Sequence, residues 1–231
     1  MKTIGMIGGM SWESSAVYYR LINRAVQDHL GGVASAKMLL YSFDFSEIAP
    51  LQSAGKWVEA NARMAAAASS LERAGADFLI MCCNTMHSGT EAIEQEVRIP
   101  FLHIADPLGA EIKRLGMKRV GLVGSAHTME RNEILRGRLA SRYGVEVITP
   151  DADDAREVSR IIYDELVRGK FLESSRAHYR NSVARLVGRG AEGVVLGCTE
   201  LPLLVKQEDS TVPLFDTTTL HAMAAADFAL A

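Results

Sequence analysis

Gly75–Thr85 reads GADFLIMCCNT, and Gly190–Glu200 reads GAEGVVLGCTE. The two stretches align without a gap: Gly75 falls on Gly190 and Cys83 on Cys198, each pair 115 residues apart. A second match precedes them. IGMIGGMS, Ile4–Ser11, pairs with VGLVGSAHT, Val120–Thr128, and sets Gly5 on Gly121 and Gly8 on Gly124 at a spacing of 116. A third follows, where IPFLHIAD (Ile99–Asp106) echoes VPLFDTTT (Val212–Thr219). Three ordered matches at nearly constant spacing are the signature of an internal duplication.

Short apolar runs alternate with helical patterns in both halves. Strands are expected at Thr3–Ile7, Lys37–Phe43, Asp77–Cys83, Phe101–Ile104, Arg119–Val123, Val145–Ile148, Gly193–Cys198 and Pro213–Phe215. Helices are expected at Ser15–Leu30, at Lys56–Arg73 with the core stripe Trp57, Met64 and Leu71, and at Asp154–Val167, which Gly169 stops. Such alternation predicts parallel sheets flanked by helices. The expected fold is therefore α/β: two similar lobes from internal duplication, 1–104 with 216–231 and 105–215, and an active-site cleft between them. Each lobe would present a cysteine at the end of its third strand, one thiol on each wall.

The bulk properties narrow the function classes. The chain has 231 residues, 48% of them apolar and 23% charged, and a net charge of −3. That balance offers no footing for nucleic acid or an anionic membrane surface. No stretch approaches the ~20 apolar residues of a membrane span, and the N-terminal run is too short and glycine-broken for a signal peptide. Three cysteines fit a reducing compartment better than a disulfide framework, so the chain is expected to be cytoplasmic.

Two thiols facing each other suit inversion of a carbon centre. One group removes a proton from one face while the other delivers a proton to the opposite face, and the roles exchange in reverse. Cysteine serves because its thiol, near pKa ~8.5 when free, ionises more readily at a helix N-terminus. Asn84-Thr85 and Thr199-Glu200, directly after the cysteines, are cap-type residues whose donors suit a substrate carboxylate. Cys82 alternates to the other side of its strand, into the core. GMIGGMSW does not fit a dinucleotide fingerprint. No pair of motifs has zinc-ligand spacing, so neither a metal nor a cofactor is expected. His87, one turn beyond Cys83, reads as a supporting or interface residue. Glu165 is left open between cleft and solvent.

GMIGGMSWESS, CCNTMH (Cys82–His87) and LGCTELPLLV (Leu196–Val205) together resemble the aspartate/glutamate racemase family, nearest its broad-specificity amino-acid racemase branch. The resemblance covers the whole chain, including LGGVASAKMLLYSFDF, LERAGAD and FDTTTLHA. It implies a cofactor-independent racemase, a homodimer and a small amino-acid substrate, with Cys83 and Cys198 as the acid/base pair. It further implies substrate contacts at Met10, Ser11, Trp12, Gln52, Asn84, Thr85, Met86, Thr199 and Glu200. Aspartate-specific members carry an arginine after the second strand and a lysine near the position of IIYDELVRG. Here Met38–Ala54 contains no Arg or Lys, and Tyr163, Asp164 and Glu165 stand at the second position. The expected substrates therefore have neutral or basic side chains, the latter drawn toward Asp44, Glu47 or Glu165. The competing readings are an aspartate or glutamate racemase, a hydantoin racemase, maleate isomerase or malonate decarboxylase of the same scaffold, and a non-catalytic amino-acid binding protein.

Overall fold

A computed structural model describes residues 1–231. The chain divides into two compact units, Met1–Ile104 with Thr218–Ala231, and Ala105–Thr217. The first contains β1 (Ile4–Gly8), α1 (Trp12–Leu30), β2 (Met38–Ser42), α2 (Phe45–Ser53), α3 (Trp57–Arg73), β3 (Phe78–Met81) and α4 (Thr90–Glu96). The second contains α5 (Ala105–Arg114), β4 (Arg119–Gly124), α6 (Ala126–Glu130), α7 (Arg136–Arg138), β5 (Glu146–Ile148), α8 (Ala152–Asp164), α9 (Glu173–Gly188), β6 (Val194–Gly197), α10 (Leu201–Leu204) and β7 (Leu214–Asp216). α11 (Thr217–Leu230) leads back into the first unit. Every strand pairing is parallel, in the orders β2-β1-β3 and β5-β4-β6-β7.

The duplication is visible in the register. β1 pairs with β3 so that Ile7 faces Met81, and β4 pairs with β6 so that Val123 faces Leu196. These are equivalent positions of the two repeats. The first unit's sheet has a separate core on each face, built by strict alternation. Ile4, Met6, Phe78, Ile80 and Cys82 pack with Tyr18, Ile22 and Val26 of α1 and with the alanine face of α11. Ile7, Leu79, Met81 and Cys83 pack on the other side with Ile48 and Leu51 of α2 and with Met64, Ala68 and Leu71 of α3. Cys82 and Cys83 thus leave the strand in opposite directions, as alternation requires.

Several sequence expectations are corrected. Asp77–Cys83 is strand only over Phe78–Met81, so both cysteines lie beyond the ladder. The helix expected over Asp154–Val167 ends at Asp164; a separate 3-10 turn, Leu166–Arg168, follows and is stopped by Gly169 at φ 69°. Phe101–Ile104 is not a strand but a single parallel bridge, Leu79 to Phe101. That bridge is the repeat's counterpart of the Val194–Leu214 pair in β6–β7. It begins identically: Leu79 N–H donates to Pro100 O (2.8 Å), as Val194 N–H donates to Pro213 O (2.9 Å). After Leu102 N–H donates to Leu79 O (2.9 Å), two imidazoles take the groups at which a parallel ladder would continue. His221 Nε2–H donates to Leu102 O (3.0 Å), and Ile104 N–H donates to His87 Nε2 (3.2 Å).

Those contacts settle the tautomer of His87. Its Nδ1–H donates to the Cys83 carbonyl (2.8 Å) while Nε2 accepts, so the ring is neutral with both nitrogens satisfied. His221 Nδ1 lies 2.9 Å from the Tyr18 hydroxyl. Burial, then the nearby His103 and His221, pushes His87 well below the usual histidine value of 6.5. In the unfolded chain that imidazole protonates near 6.5, so its contribution to stability is complete above that pH and is lost as pH falls below it. The expected outcome is that the drop in urea midpoint from about pH 7.5 to about pH 5.5 is smaller in His87→Asn than in the native chain. Equal drops in the two proteins would exclude His87 as a source of the acid sensitivity.

The loop after β1 is set by a close approach. Gly9 sits at φ 86°, and a Cβ there would lie 2.2 Å from Phe43 O. Gly55 has a similar φ, 65°, but open space around it. Gly9→Ala is expected to cost at least about 1–2 kcal/mol more in urea unfolding than Gly55→Ala, because it adds a backbone collision to the same φ strain. Equal losses would mean that Phe43 yields at no cost.

Candidate active site

Nearly all the site residues expected from the sequence lie at the carboxyl ends of strands, where open parallel sheets bind ligands. In the first unit, Met10, Ser11 and Trp12 follow β1, while Cys83, Asn84, Thr85 and Met86 follow the adjacent β3. Gln52 comes from α2, which follows β2. In the second unit, Cys198, Thr199 and Glu200 follow β6.

The first loop is braced from within. Gly9 N–H donates to Ser15 Oγ (2.9 Å), and Ser15 Oγ–H donates to Ser11 O (3.2 Å). A side chain at Gly8 would collide with the same Ser15 hydroxyl, at 2.5 Å. Ser11 is the cap position of α1; Met10 is buried in the core beside Met64, and Trp12 is 66% exposed. Gln52 is buried to 5% exposure on the inward side of α2, next to Ile48 and Leu51.

Cys83 is 9% exposed and Cys198 somewhat more open, whereas Cys82 is fully enclosed. Burial, with Cys83 adjacent, pushes the Cys82 thiol far above the usual range, which makes it inert. After Cys83 the chain enters a 3-10 turn, Thr85–Gly89, anchored by His87 on the Cys83 carbonyl. Asn84 and Thr85 are buried at its start. Met86 has no exposed surface and packs with the α3 core, so it offers no face to a ligand in this conformation.

After Cys198 the four-residue α10 begins. Cys198 Sγ–H donates to Glu200 Oε2 at 3.0 Å, and the Thr199 hydroxyl donates to the same oxygen at 2.8 Å. One expectation changes here. Asn84 and Glu200 occupy the capping positions, but neither side chain makes the capping hydrogen bond, and both following helical segments are short. Little helix dipole therefore reaches either thiol; the local field comes from side chains and turn amides.

The repeat contains a signal that sequence reasoning left unused. The second copy of the β1 loop is Ser125–Thr128, buried at Ser125 and Thr128. Ser125 caps α6 by accepting Thr128 N–H (3.3 Å), and its hydroxyl lies 3.1 Å from Thr128 Oγ1. Matching Gly8 to Gly124 leads directly to these two hydroxyls. Tyr179 of α9 is buried, and burial first and the nearby Cys198 next oppose its ionisation. Nothing in its helical spacing distinguishes it.

The acidic residues near the site are already engaged. Asp44 caps α2 by accepting Ser46 N–H (2.8 Å), and hydrogen bonds from the Ser46 hydroxyl first and this amide next hold its carboxyl below the usual range. Glu47 lies 3.4 Å from Arg63. Glu165 is buried, pairs with Arg160 at 3.0 Å and accepts a hydrogen bond from Ser175 Oγ. No group of three or more His, Cys, Asp or Glu side chains is arranged to hold a metal.

Comparison with known proteins agrees with this architecture. Residues 7–225 match the family described as Asp/Glu/hydantoin racemase. A crystal structure from Yersinia pestis, described as a candidate Asp/Glu racemase, shares 49% identity over the whole of both chains with a TM-score of 0.94. An aspartate racemase homologue from Pyrococcus horikoshii shares 32% identity over the whole of both chains, with a TM-score of 0.86. The broad specificity amino-acid racemase of Bacillus subtilis is 25% identical over 153 residues, 65% of this chain and 63% of that protein, so the match spans somewhat less than two thirds of the relative. On a match that runs from β1 to α11, the chain belongs to the Asp/Glu/hydantoin racemase family.

Proposed function

We propose that this chain interconverts L- and D-amino acids without a cofactor, by two-base proton transfer between Cys83 and Cys198. Racemisation is the reaction class of the family. The observation that carries the finer reading is the equivalence of the two cysteines: both follow the third strand of their own sheet, on parallel ladders of the same register. In this reading one cysteine, as thiolate, takes the α-proton, and the other, as thiol, protonates the opposite face. Asn84, Thr85, Thr199 and the amides of the turns they begin bind the substrate carboxylate, on which the charge of the deprotonated carbon spreads. By the same resemblance the working form is a cytoplasmic homodimer. A non-catalytic binding protein is disfavoured, since binding alone requires neither thiol.

Cys83→Ser and Cys198→Ser are each expected to lower racemisation by at least about a hundredfold with unchanged circular dichroism. Exchange of the α-proton with deuterated water should survive for one enantiomer only, and for opposite enantiomers in the two variants. The native assay, run after dialysis against EDTA and in hydroxylamine, should keep its activity. Near-native racemisation by either variant would overturn the two-base mechanism.

Substrate preference follows from charge. A second substrate carboxylate would be buried with no Arg or Lys from Met38–Ala54 to meet it, which is costly. The expected attraction for basic side chains also weakens, because Asp44, Glu47 and Glu165 already have partners. Neutral side chains are thus favoured. Steady-state kinetics on both enantiomers of methionine, homoserine, lysine, arginine, aspartate and glutamate should give a neutral substrate a kcat/KM at least about tenfold above aspartate, on the order of 1.4 kcal/mol. Aspartate or glutamate as the best substrate would refute this preference.

A further inference from the structure

The two repeats carry the same thiol in different company. Position 200 is the repeat's counterpart of position 85: glutamate in one copy, threonine in the other. The glutamate is bound to its cysteine, with Cys198 Sγ–H donating to Glu200 Oε2 at 3.0 Å. Thr199 Oγ1–H, 2.8 Å from the same oxygen, steadies the carboxylate. The turn is closed by Leu201 N–H on Cys198 O (3.1 Å) and Leu203 N–H on Glu200 O (3.1 Å), and Glu200 is 5% exposed. A shielded carboxylate at this distance accepts a hydrogen bond from the thiol, which keeps the proton on sulfur, and its charge opposes a second negative charge beside it. A threonine hydroxyl after Cys83 imposes no such charge.

We propose that Glu200 holds the proton on Cys198, so that in the resting protein Cys198 is the thiol acid and Cys83 the thiolate base. The assignment rests on the two-base reading and deepens it. Tyr179 of α9 is a further titratable group of the second unit, near enough to Cys198 for the two to oppose each other's ionisation. Its hydroxyl donates to Val158 O (2.8 Å), and burial keeps it neutral. Glu165, near that tyrosine, is paired with Arg160 and Ser175.

The proton balance then runs in one favoured order. Cys83 thiolate takes the α-hydrogen as a proton, and the C–H electron pair passes onto the α-carbon and its carboxylate. Cys198 gives its proton to the opposite face, and the S–H pair stays on sulfur. The products are a thiol at Cys83 and a thiolate beside Glu200. The free protein returns to rest when Cys83 releases a proton to water and Cys198 takes one up. The two enantiomers therefore bind different protonation forms. Because L and D are equally stable, kcat/KM is the same for both, and the bias appears as kcat and KM both higher for the enantiomer that needs the minor form.

The test is alkylation of the intact chain by iodoacetamide across a pH series, with each cysteine read by peptide mass spectrometry. In the native chain the labelling midpoint of Cys198 should lie above that of Cys83, with enclosed Cys82 unlabelled. In Glu200→Gln the Cys198 midpoint should fall by at least about one pH unit, a tenfold change in thiolate fraction, while Cys83 stays unmoved. Glu200→Asp, which withdraws the carboxylate by one methylene, should lower it in the same direction by less, and serves if the glutamine variant does not fold. With substrate, the KM difference between enantiomers should shrink in Glu200→Gln. A Cys198 midpoint below that of Cys83, or one unmoved in both variants, overturns the proposal. Labelling needs no turnover, so a chain that shows the shift and racemises nothing upholds the Glu200 contact and refutes the two-base reading instead.

Discussion

The parallel ladder between β1 and β3, and its copy between β4 and β6, is the constraint from which the rest of the site follows. Ile7 O receives the amide of Cys82 at 2.9 Å, and this last bond fixes where the chain leaves the sheet. Once the register is set, alternation has no freedom left: Cys82 must enter the α1–α11 core and Cys83 the opposite face. A slip of one residue would exchange their two environments. In the second unit the pairing of Gly124 with Gly197 performs the same task for Cys198.

Helix packing then fixes what surrounds the thiols. In the first unit the sheet's would-be fourth strand is cut to one bridge because His87 and His221 take its next amide and carbonyl. The interruption has a use, since the same His87 ring ties down the carbonyl of Cys83. In the second unit α8 and α9 are joined at a buried carboxylate, Asp154. Burial works against its charge, yet hydrogen bonds from Arg185 (2.7 Å) and Ser182 (2.8 Å) outweigh burial and hold its carboxyl below the usual range. That joint, with the Tyr179 hydroxyl donating across to Val158 O, fixes the tyrosine whose ionisation Cys198 opposes.

The two strand-end loops differ in polarity although their framework is duplicated. Repetition copied the strands, the glycines and the thiols, whose positions are set by backbone hydrogen bonds and close approaches. It did not preserve the residues that set charge, where Thr85 corresponds to Glu200 and Ser11 to His127. In the proposed two-base reading, differentiated side chains on a duplicated scaffold suit the opposite steps taken on the two faces of one carbon.

Much of this was written in the order of residues. The repeat, the α/β alternation, the burial of Cys82 and the equivalence of Cys83 and Cys198 all follow from periodicity and spacing, because period-two alternation and strand-end loops are local consequences of backbone geometry. Tertiary structure alone decided the rest. Phe101–Ile104 has strand composition, but two imidazoles, one of them 117 residues downstream of Ile104 at His221, claim the groups a strand would use. The cap-type residues after the cysteines do not cap, because Glu200 meets a thiol instead of an amide. Asp44, Glu47 and Glu165 look available as charges in the chain, yet an amide, Arg63 and Arg160 had claimed them. Hydrogen-bond partners are chosen by distance in space, and no pattern along a single chain records which competitor for a donor or a carboxylate arrives first.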